Sequence, residues 1–96
     1  MADPVQARHV FVQGRVQGVG YRFSMVAEAQ RRGLSGWVRN RRDGRVEAVV
    51  SGDGAAVASL LAWCSAGPPG ANVTELAVEL AAPLQQADGF HQRTTV

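Results

Sequence analysis

The sequence predicts an α+β fold in which two helices cover one face of a mostly antiparallel sheet of four or five strands. Strand-like and helix-like segments follow one another in the order β-α-β-β-α-β, which is the order of a ferredoxin-like sandwich. Apolar residues make up 46% of the 96 residues, which is enough for one modest core. We therefore expect a single domain over residues 8–96, preceded by a short N-terminal extension at residues 1–7.

The first strand and the first helix are predicted on either side of a glycine-bearing loop, Gly14–Gly20. Residues 8–13 are rich in β-forming side chains. From about residue 21 to residue 32, apolar side chains recur at the helical spacing of Tyr21, Met25 and Ala29. Gly33 can end this helix in the left-handed conformation, which glycine tolerates.

The second half of the chain continues with a hairpin, a helix and one or two strands. Residues 34–41 and 45–51 are strand-like and flank Asp43-Gly44, a strong hairpin signal. Asp53 is expected to cap the second helix, which carries an apolar stripe at Val57, Leu60, Leu61 and Cys64. The sequence Gly-Pro-Pro-Gly at 67–70 must end that helix. Residues 73–82 form the fourth predicted strand, and residues 89–94 form an optional edge strand.

Basic residues are concentrated in the first half of the chain, which suggests an anionic ligand. All ten are arginine; residues 1–48 carry a net charge of +5 and residues 49–96 carry −3. The two histidines, His9 and His91, are isolated and do not suggest a metal site. Trp37 and Trp63 are interpreted as core residues, and so is Cys64.

The chain also lacks the marks of a secreted or membrane protein. A single cysteine excludes an intramolecular disulfide. No stretch approaches the roughly 18–20 apolar residues of a transmembrane helix. Residues 1–4 have neither the basic nor the apolar region of a signal peptide. We expect a cytoplasmic location.

The segment from Gly14 to Arg22 carries the predicted chemistry. Its three glycines lie between a strand and a helix, where the backbone can turn several N–H groups toward one point. Such a nest at a helix N-terminus binds an anion of the size of phosphate, and the planar fork of Arg22 can bond to two phosphate oxygens. The alternative is a plain strand–helix connection with Arg22 on the surface. The spacing matches neither a Walker A loop nor a dinucleotide-binding turn.

Asn40 is the second candidate, near the end of the strand that precedes the hairpin turn. Its amide both donates and accepts hydrogen bonds, so it can hold and orient a water molecule. The alternative is that Asn40 only opens the turn toward Asp43-Gly44, as asparagine often does. On composition alone, the turn interpretation is the more common one.

Taken together, these segments resemble the acylphosphatase family. That family combines a Gly-x-Val-Gln-Gly-Val-x-aromatic-Arg loop with a Gly-x-Val-x-Asn-x-x-Asp-Gly strand end, and both stand complete here as Gly14–Arg22 and Gly36–Gly44. The resemblance covers about residues 8–93. Two positions depart from the pattern: Arg41 follows Asn40 where some relatives have threonine, and polar Gln92 stands where the last strand usually has an apolar residue.

The resemblance implies an enzyme that hydrolyses the carboxyl–phosphate anhydride of acyl phosphates to a carboxylate and inorganic phosphate. It implies that Arg22 and Asn40 are catalytic, with Arg22 binding the phosphate and Asn40 positioning the attacking water. It also implies a substrate-binding loop that comprises Gly14, Arg15, Val16, Gln17, Gly18, Val19, Gly20 and Tyr21. Neither arginine nor asparagine accepts a proton near neutral pH, so we expect no protein general base, and we expect no metal and no cofactor.

The expected ligands are small: an acyl phosphate as substrate, and inorganic phosphate or sulfate at the same site. We expect a monomer with no membrane partner and no nucleic-acid partner. The competing interpretation is a non-enzymatic RNA- or protein-binding module that uses the arginine-rich half, although the RNA-recognition aromatic signature is missing. Carbamoyl phosphate is an alternative substrate that the sequence does not separate from other acyl phosphates.

Overall fold

The computed structural model describes residues 4–84 and 89–96. Within those ranges the chain forms five strands and two helices: β1 (Val5–Arg15), α1 (Tyr21–Arg31), β2 (Ser35–Asn40), β3 (Val46–Asp53), α2 (Gly54–Ala66), β4 (Asn72–Leu80) and β5 (Phe90–Gln92). The predicted order is confirmed, including the short edge strand. Residues 1–3 of the predicted N-terminal extension lie outside the described residues. β1 is longer than predicted, because it begins at Val5 and pairs there with Asp53 of β3.

The five strands form one sheet in the order β4-β1-β3-β2-β5. All neighbouring strands are antiparallel except β2 and β5, which are parallel. The prediction of a mostly antiparallel ferredoxin-like sheet is therefore confirmed. Neither helix of the described ranges is long and apolar enough to cross a membrane.

Both helices pack on the same face of the sheet, along the stripes that the sequence predicts. Tyr21, Met25 and Ala29 of α1 are buried, as are Val57, Leu60 and Cys64 of α2. The two stripes meet where the Tyr21 hydroxyl donates to the Cys64 carbonyl oxygen at 2.6 Å. Burial raises the pKa of the Cys64 thiol to about 12, so this cysteine is a core residue rather than a nucleophile.

The helix ends follow the predicted local signals. The Asp53 side chain accepts a hydrogen bond from the Ala56 N–H at 3.3 Å and caps α2. Gly33 has a φ of 71°, and the Leu34 N–H donates back to the Ala29 carbonyl at 3.0 Å. These bonds satisfy backbone groups that would otherwise be unpaired at the helix termini.

The opposite face of the sheet, which neither α1 nor α2 covers, is built around the buried carboxylate of Glu47. This side chain contacts His9 Nε2 at 2.6 Å, Arg39 Nε at 2.8 Å and Arg41 Nη1 at 2.8 Å. On the same face the guanidinium carbons of Arg39 and Arg93 lie 4.7 and 4.6 Å from the Trp37 ring centroid. The interpretation of Trp37 as a core residue is wrong, because strand alternation turns Val38 toward the helices and Trp37 away from them. Trp63 packs against the core beside Tyr21, as predicted.

We expect the free energy of unfolding to fall as the pH is lowered through the acid range, because Glu47 titrates there. Burial alone raises the pKa of this carboxyl, but the bonds from Arg39, His9 and Arg41 outweigh it and lower the pKa from 4.5 to about 2. The unfolded chain therefore takes up the proton more readily. The stabilisation is complete above pH 4.5 and is lost as the pH approaches 2. Its size is on the order of 3 kcal/mol, measurable by urea unfolding across this window.

The substitution Glu47→Gln should flatten that pH dependence. At neutral pH it should also destabilise the fold by on the order of 3 kcal/mol, because it leaves the half-buried Arg39 and Arg41 without their counter-charge. Asp43→Asn is the matched control. Hydrogen bonds from Arg45 lower the pKa of Asp43 to about 2 as well, but this side chain is 45% exposed and solvent screens its contribution. An unchanged acid dependence in Glu47→Gln would contradict the assignment.

Candidate active site

The loop between β1 and α1 is shaped by a buried anchor and two left-handed glycines. Val16 is buried in the core and holds the start of the loop. Gly18 and Gly20 have φ values of 77° and 78°, a conformation that a side chain would strain. Gly20 stands directly before α1, and the first turn of that helix contains no acidic residue. The positive end of the helix therefore keeps its attraction for an external anion.

This loop, α1 and the ends of β2 and β5 enclose a cavity of about 170 Å³. It is lined by Val16, Gln17, Gly18, Gly20, Tyr21, Arg22, Phe23, Asn40 and Gln92. The cavity brings the two predicted catalytic residues, Arg22 and Asn40, to one place, although they belong to different elements. A larger depression of about 490 Å³, near Gln13, Asp43 and Thr74, contains neither of them.

Three residues of the predicted substrate-binding loop do not line the cavity. Gly14 and Arg15 belong to β1 and pair with Val73 and Asn72 of β4. A Cβ at Gly14 would lie 2.1 Å from the Asn72 carbonyl oxygen, so glycine is needed there for strand packing. Val19 packs against the core. A substrate-binding role for these three residues therefore rests on the resemblance alone.

Arg22 is a half-buried cation without a counter-charge among the residues that the structure describes. Across residues 4–84 and 89–96 it has no ion pair and no side-chain hydrogen bond. Other half-buried arginines of the chain are paired: Arg32 with Glu28, Arg39 and Arg41 with Glu47, and Arg45 with Asp43. Arg22 thus adds an uncompensated charge to the positive end of α1, and the two together favour a bound anion.

Asn40 contributes a buried acceptor to the cavity. Its Oδ1 is the buried side-chain atom in the described part of the chain that has no hydrogen-bond partner. Leaving such an atom unsatisfied costs about 1–3 kcal/mol, so the arrangement favours a ligand that donates a hydrogen bond. A water molecule can donate, whereas a fully deprotonated phosphoryl group can only accept.

The position of Asn40 is held by its backbone and by Gln17. Asn40 pairs with Val46 of β3, and its carbonyl oxygen accepts from the Val96 N–H at 3.2 Å. The Gln17 Nε2 donates to the carbonyl oxygens of Arg41 at 2.8 Å and Arg45 at 2.9 Å. These two bonds tie the loop to the β2–β3 hairpin and set the distance between the loop and Asn40. The Arg41 side chain is turned away to Glu47 and does not support the Asn40 amide.

Sequence reasoning missed two residues that line the cavity, Phe23 and Gln92. Phe23 lies outside the core stripe of α1. The sequence signal that could have found it is its helical spacing with Val26 and Ala27, which places three apolar side chains on a second face of the helix. Gln92 was noted only as a polar residue in an apolar position. That anomaly was itself the signal, because a polar side chain in a strand next to a site often faces the ligand.

The lining contains no obvious general base. None of its nine residues is an aspartate, a glutamate or a histidine. The Tyr21 hydroxyl is engaged with Cys64, and burial raises the pKa of Tyr21 far above its ordinary value of 10.0. Within the described ranges, no three or more histidine, cysteine, aspartate or glutamate side chains come together as metal ligands. The groups that line this cavity can bind an anion electrostatically and can orient a water molecule.

Comparison with known proteins shows the family to which the chain belongs. The acylphosphatase family model matches residues 8–92. An acylphosphatase of Anaeromyxobacter dehalogenans is 52% identical over 93 residues, which cover 97% of this chain and 99% of that protein. Among solved structures, an acylphosphatase from Coxiella burnetii superposes with a TM-score of 0.88 at 35% identity, covering 93% of both chains. One from Bacillus subtilis gives 0.87 at 37% identity, covering 94% of this chain and 99% of that one. The chain therefore belongs to the acylphosphatase family, whose members are hydrolases that act on acyl phosphates.

Proposed function

We propose that the 170 Å³ cavity is the catalytic site and that Arg22 and Asn40 divide the work between them. Arg22 and the backbone N–H groups at the start of α1 bind the phosphoryl group of the acyl phosphate. Asn40 orients the attacking water through its amide. Gln17 acts as a positioning residue, because it holds the loop against the hairpin that carries Asn40.

The reaction follows from this division. The water oxygen attacks phosphorus while the bond from phosphorus to the acyl oxygen breaks, and the products are a carboxylate and inorganic phosphate. The leaving carboxylate is already a stable anion, so it needs little assistance. Catalysis of phosphoryl transfer is mostly positioning and charge stabilisation. The guanidinium fork and the loop amides stabilise the phosphoryl oxygens, and Asn40 provides the positioning.

The proton of the attacking water passes to a phosphoryl oxygen of the substrate in this proposal. The lining offers no carboxylate or imidazole to receive it. A phosphoryl oxygen is adjacent to the attacking water in any in-line geometry. Substrate-assisted proton transfer is therefore consistent with every residue that lines the cavity.

The observation that carries the proposal is the pairing of two unsatisfied groups in one cavity. Arg22 is a half-buried cation without a partner in the described part of the chain, and the Asn40 Oδ1 is a buried acceptor without one. The Arg22 guanidinium can bind an anion, and the Asn40 Oδ1 can accept a hydrogen bond from a donor. An acyl phosphate with its attacking water supplies both. Cytoplasmic location and a monomeric state stay predictions from the sequence.

We expect inorganic phosphate and sulfate to inhibit the hydrolysis of benzoyl phosphate competitively, because each presents the oxygens that Arg22 and the loop amides bind. EDTA should leave the rate unchanged. Steady-state kinetics at several phosphate concentrations measure the first effect, and dialysis against EDTA measures the second. Sodium chloride at equal ionic strength is the control, since general screening would act on any charged site. Activity that is lost in EDTA and restored by a divalent metal would overturn the proposal.

A further inference from the structure

The first helix carries a second, mainly apolar stripe that is only partly covered: Val26 packs against the core and Gln30 donates to the Phe90 carbonyl oxygen at 3.2 Å, whereas Phe23 stays in solvent. Phe23, Val26, Ala27 and Gln30 are spaced i, i+3, i+4 and i+7, so they lie along one face of α1. Phe23 is 75% exposed, whereas Tyr21, Met25 and Ala29 of the core stripe are buried. An aromatic ring that is left in solvent beside other apolar side chains marks a binding surface more often than an isolated exposed residue does.

This stripe forms one wall of a groove of about 440 Å³, and β5 forms the other wall through Phe90, His91 and Gln92. A volume of this size is in the range of small-molecule sites. The helix rises about 10 Å between Phe23 and Gln30. The groove is therefore long enough for an aromatic ring or an extended alkyl chain.

The groove is continuous with the phosphate cavity, because Phe23 and Gln92 line both. A ligand whose phosphoryl group is held by Arg22 must place its remainder at the mouth of that cavity. In an acyl phosphate the acyl carbon is only one oxygen away from phosphorus. The rest of the acyl group can therefore enter the groove while the phosphoryl group stays beside Arg22.

The phosphate cavity and the groove differ in the charge of their lining residues. The phosphate cavity contains Arg22, whereas no arginine, aspartate or glutamate lines the groove. The groove has four apolar lining residues, Phe23, Val26, Ala27 and Phe90, and three polar ones, Gln30, His91 and Gln92. A second carboxylate on the acyl group would meet no arginine there and would have to be placed against the apolar residues or compete for His91, which is costly unless it is well hydrogen-bonded. An uncharged aromatic or alkyl group would instead cover Phe23 and Val26 and remove apolar surface from water.

We propose that this groove is the acyl-group subsite and that it selects acyl phosphates with uncharged aromatic or extended alkyl groups. These substrates are preferred over acetyl phosphate and over acyl phosphates that carry a second carboxylate. Phe23 is the specificity-determining residue, since its ring stands where the two spaces join. The inference rests on the proposed function, because the phosphoryl group must be held in the adjacent cavity.

The test is the ratio of kcat/KM for benzoyl phosphate to kcat/KM for acetyl phosphate. The ratio should favour benzoyl phosphate in the wild type and fall about tenfold in Phe23→Ala, an effect typical of one lost hydrophobic contact. Phe23→Leu should keep most of the preference. Any damage to the phosphate cavity acts on both substrates and cancels in the ratio. Leu80→Ala is the matched control, because Leu80 is 82% exposed and lies on β4 at the opposite edge of the sheet.

A second variant tests the charge argument. Ala27→Arg places a cation in the groove on an exposed helical position. It should raise kcat/KM for succinyl phosphate relative to benzoyl phosphate severalfold. The inhibition constants of phenylphosphonate and methylphosphonate give a readout without turnover, and Phe23→Ala should narrow the difference between them.

Equal ratios in the wild type and in Phe23→Ala would overturn the acyl subsite. A Phe23→Ala protein that changes its sedimentation coefficient while keeping the ratio would assign the groove to a second copy of the chain, and would overturn it too. Failure of the proposed function looks different, because the wild type would then hydrolyse neither benzoyl phosphate nor acetyl phosphate, or Arg22→Ala would hydrolyse both as fast as the wild type. Either outcome would remove both proposals.

Discussion

We expect Arg22→Ala to lower kcat/KM for benzoyl phosphate by roughly 10²–10⁴-fold while the protein stays folded. A charge-assisted hydrogen bond contributes about 1.5–3 kcal/mol, and the guanidinium fork can make two to the phosphoryl group. The fold should tolerate the change, because Arg22 has no partner in the described part of the chain and alanine favours the helix. Steady-state kinetics with circular dichroism of the same sample measure both effects.

Three further variants make the Arg22 prediction specific. Arg22→Lys should also lose most of its activity, since an ammonium group cannot reproduce the planar fork. Arg31→Ala is the matched control, because it removes a cation from the exposed end of the same helix, where Arg31 pairs with Glu28. Arg15→Ala tests the other cation of the loop motif. If Arg15→Ala abolished turnover and Arg22→Ala did not, the assignment of the phosphate-binding arginine would be wrong.

For Asn40→Ala we expect kcat to fall by roughly 10²–10³-fold with little change in KM. Arg22 and the loop amides bind the phosphoryl group in the ground state and in the transition state. Asn40 contacts the attacking water, so its loss removes an interaction that matters mainly in the transition state. Asn72→Ala, at the chain's other asparagine, is the matched control because Asn72 is exposed at the start of β4.

The free energy of unfolding of Asn40→Ala distinguishes a role in orienting water from the interpretation of Asn40 as a turn residue. The Asn40 Oδ1 has no hydrogen-bond partner in the described residues, so Asn40→Ala removes an unsatisfied buried acceptor. We expect the free energy of unfolding to stay equal or to rise by up to about 1 kcal/mol. A residue that only opens the turn would show the opposite pattern, with lower stability and unchanged kinetics of the folded fraction. Urea unfolding and kinetics on one preparation distinguish the two.

Phosphate binding is a third test of the separate roles proposed for Arg22 and Asn40. Calorimetric titration with inorganic phosphate should show nearly wild-type affinity for Asn40→Ala and weak or undetectable binding for Arg22→Ala. If Asn40→Ala instead kept its kcat and lost phosphate affinity, Asn40 would be a ligand-binding residue. The proposed role in orienting water would then be wrong.

Local signals in the sequence account for most of the fold. The stripes of α1 and α2, the Asp53 cap, the Gly33 helix end and the Asp43-Gly44 turn each depend on residues within one or two turns of chain. Their physical causes are short-range, so they can be recognised without knowing the neighbours in space. The observed element boundaries differ from the predicted ones by at most three residues, and the largest differences are at strand ends, which depend on pairing with other strands.

The role of the open face of the sheet could not be predicted in the same way. Trp37 is a large apolar residue, and hydrophobicity alone favours the core for it. Its actual position follows from the register of β2 with β3, which pairs Val38 with Ala48 and Arg39 with Glu47. That register decides which face each side chain takes. Three arginines of the hairpin are bonded to carboxylates on the strands and in the turn: Arg39 and Arg41 to Glu47, and Arg45 to Asp43.

By itself the sequence determined the order of the elements, the family, and Arg22 and Asn40 as the candidate pair, because these are written in short motifs and in helical or strand periodicity. Only the tertiary structure decided that the two residues share one cavity and that Gln17 holds the loop to the hairpin. It also decided that Phe23 and Gln92 join this cavity to an apolar groove. The physical reason is distance along the chain: these contacts link α1 to β5 and the loop to the hairpin, and close approach between such distant segments depends on the packing of the whole sheet and both helices.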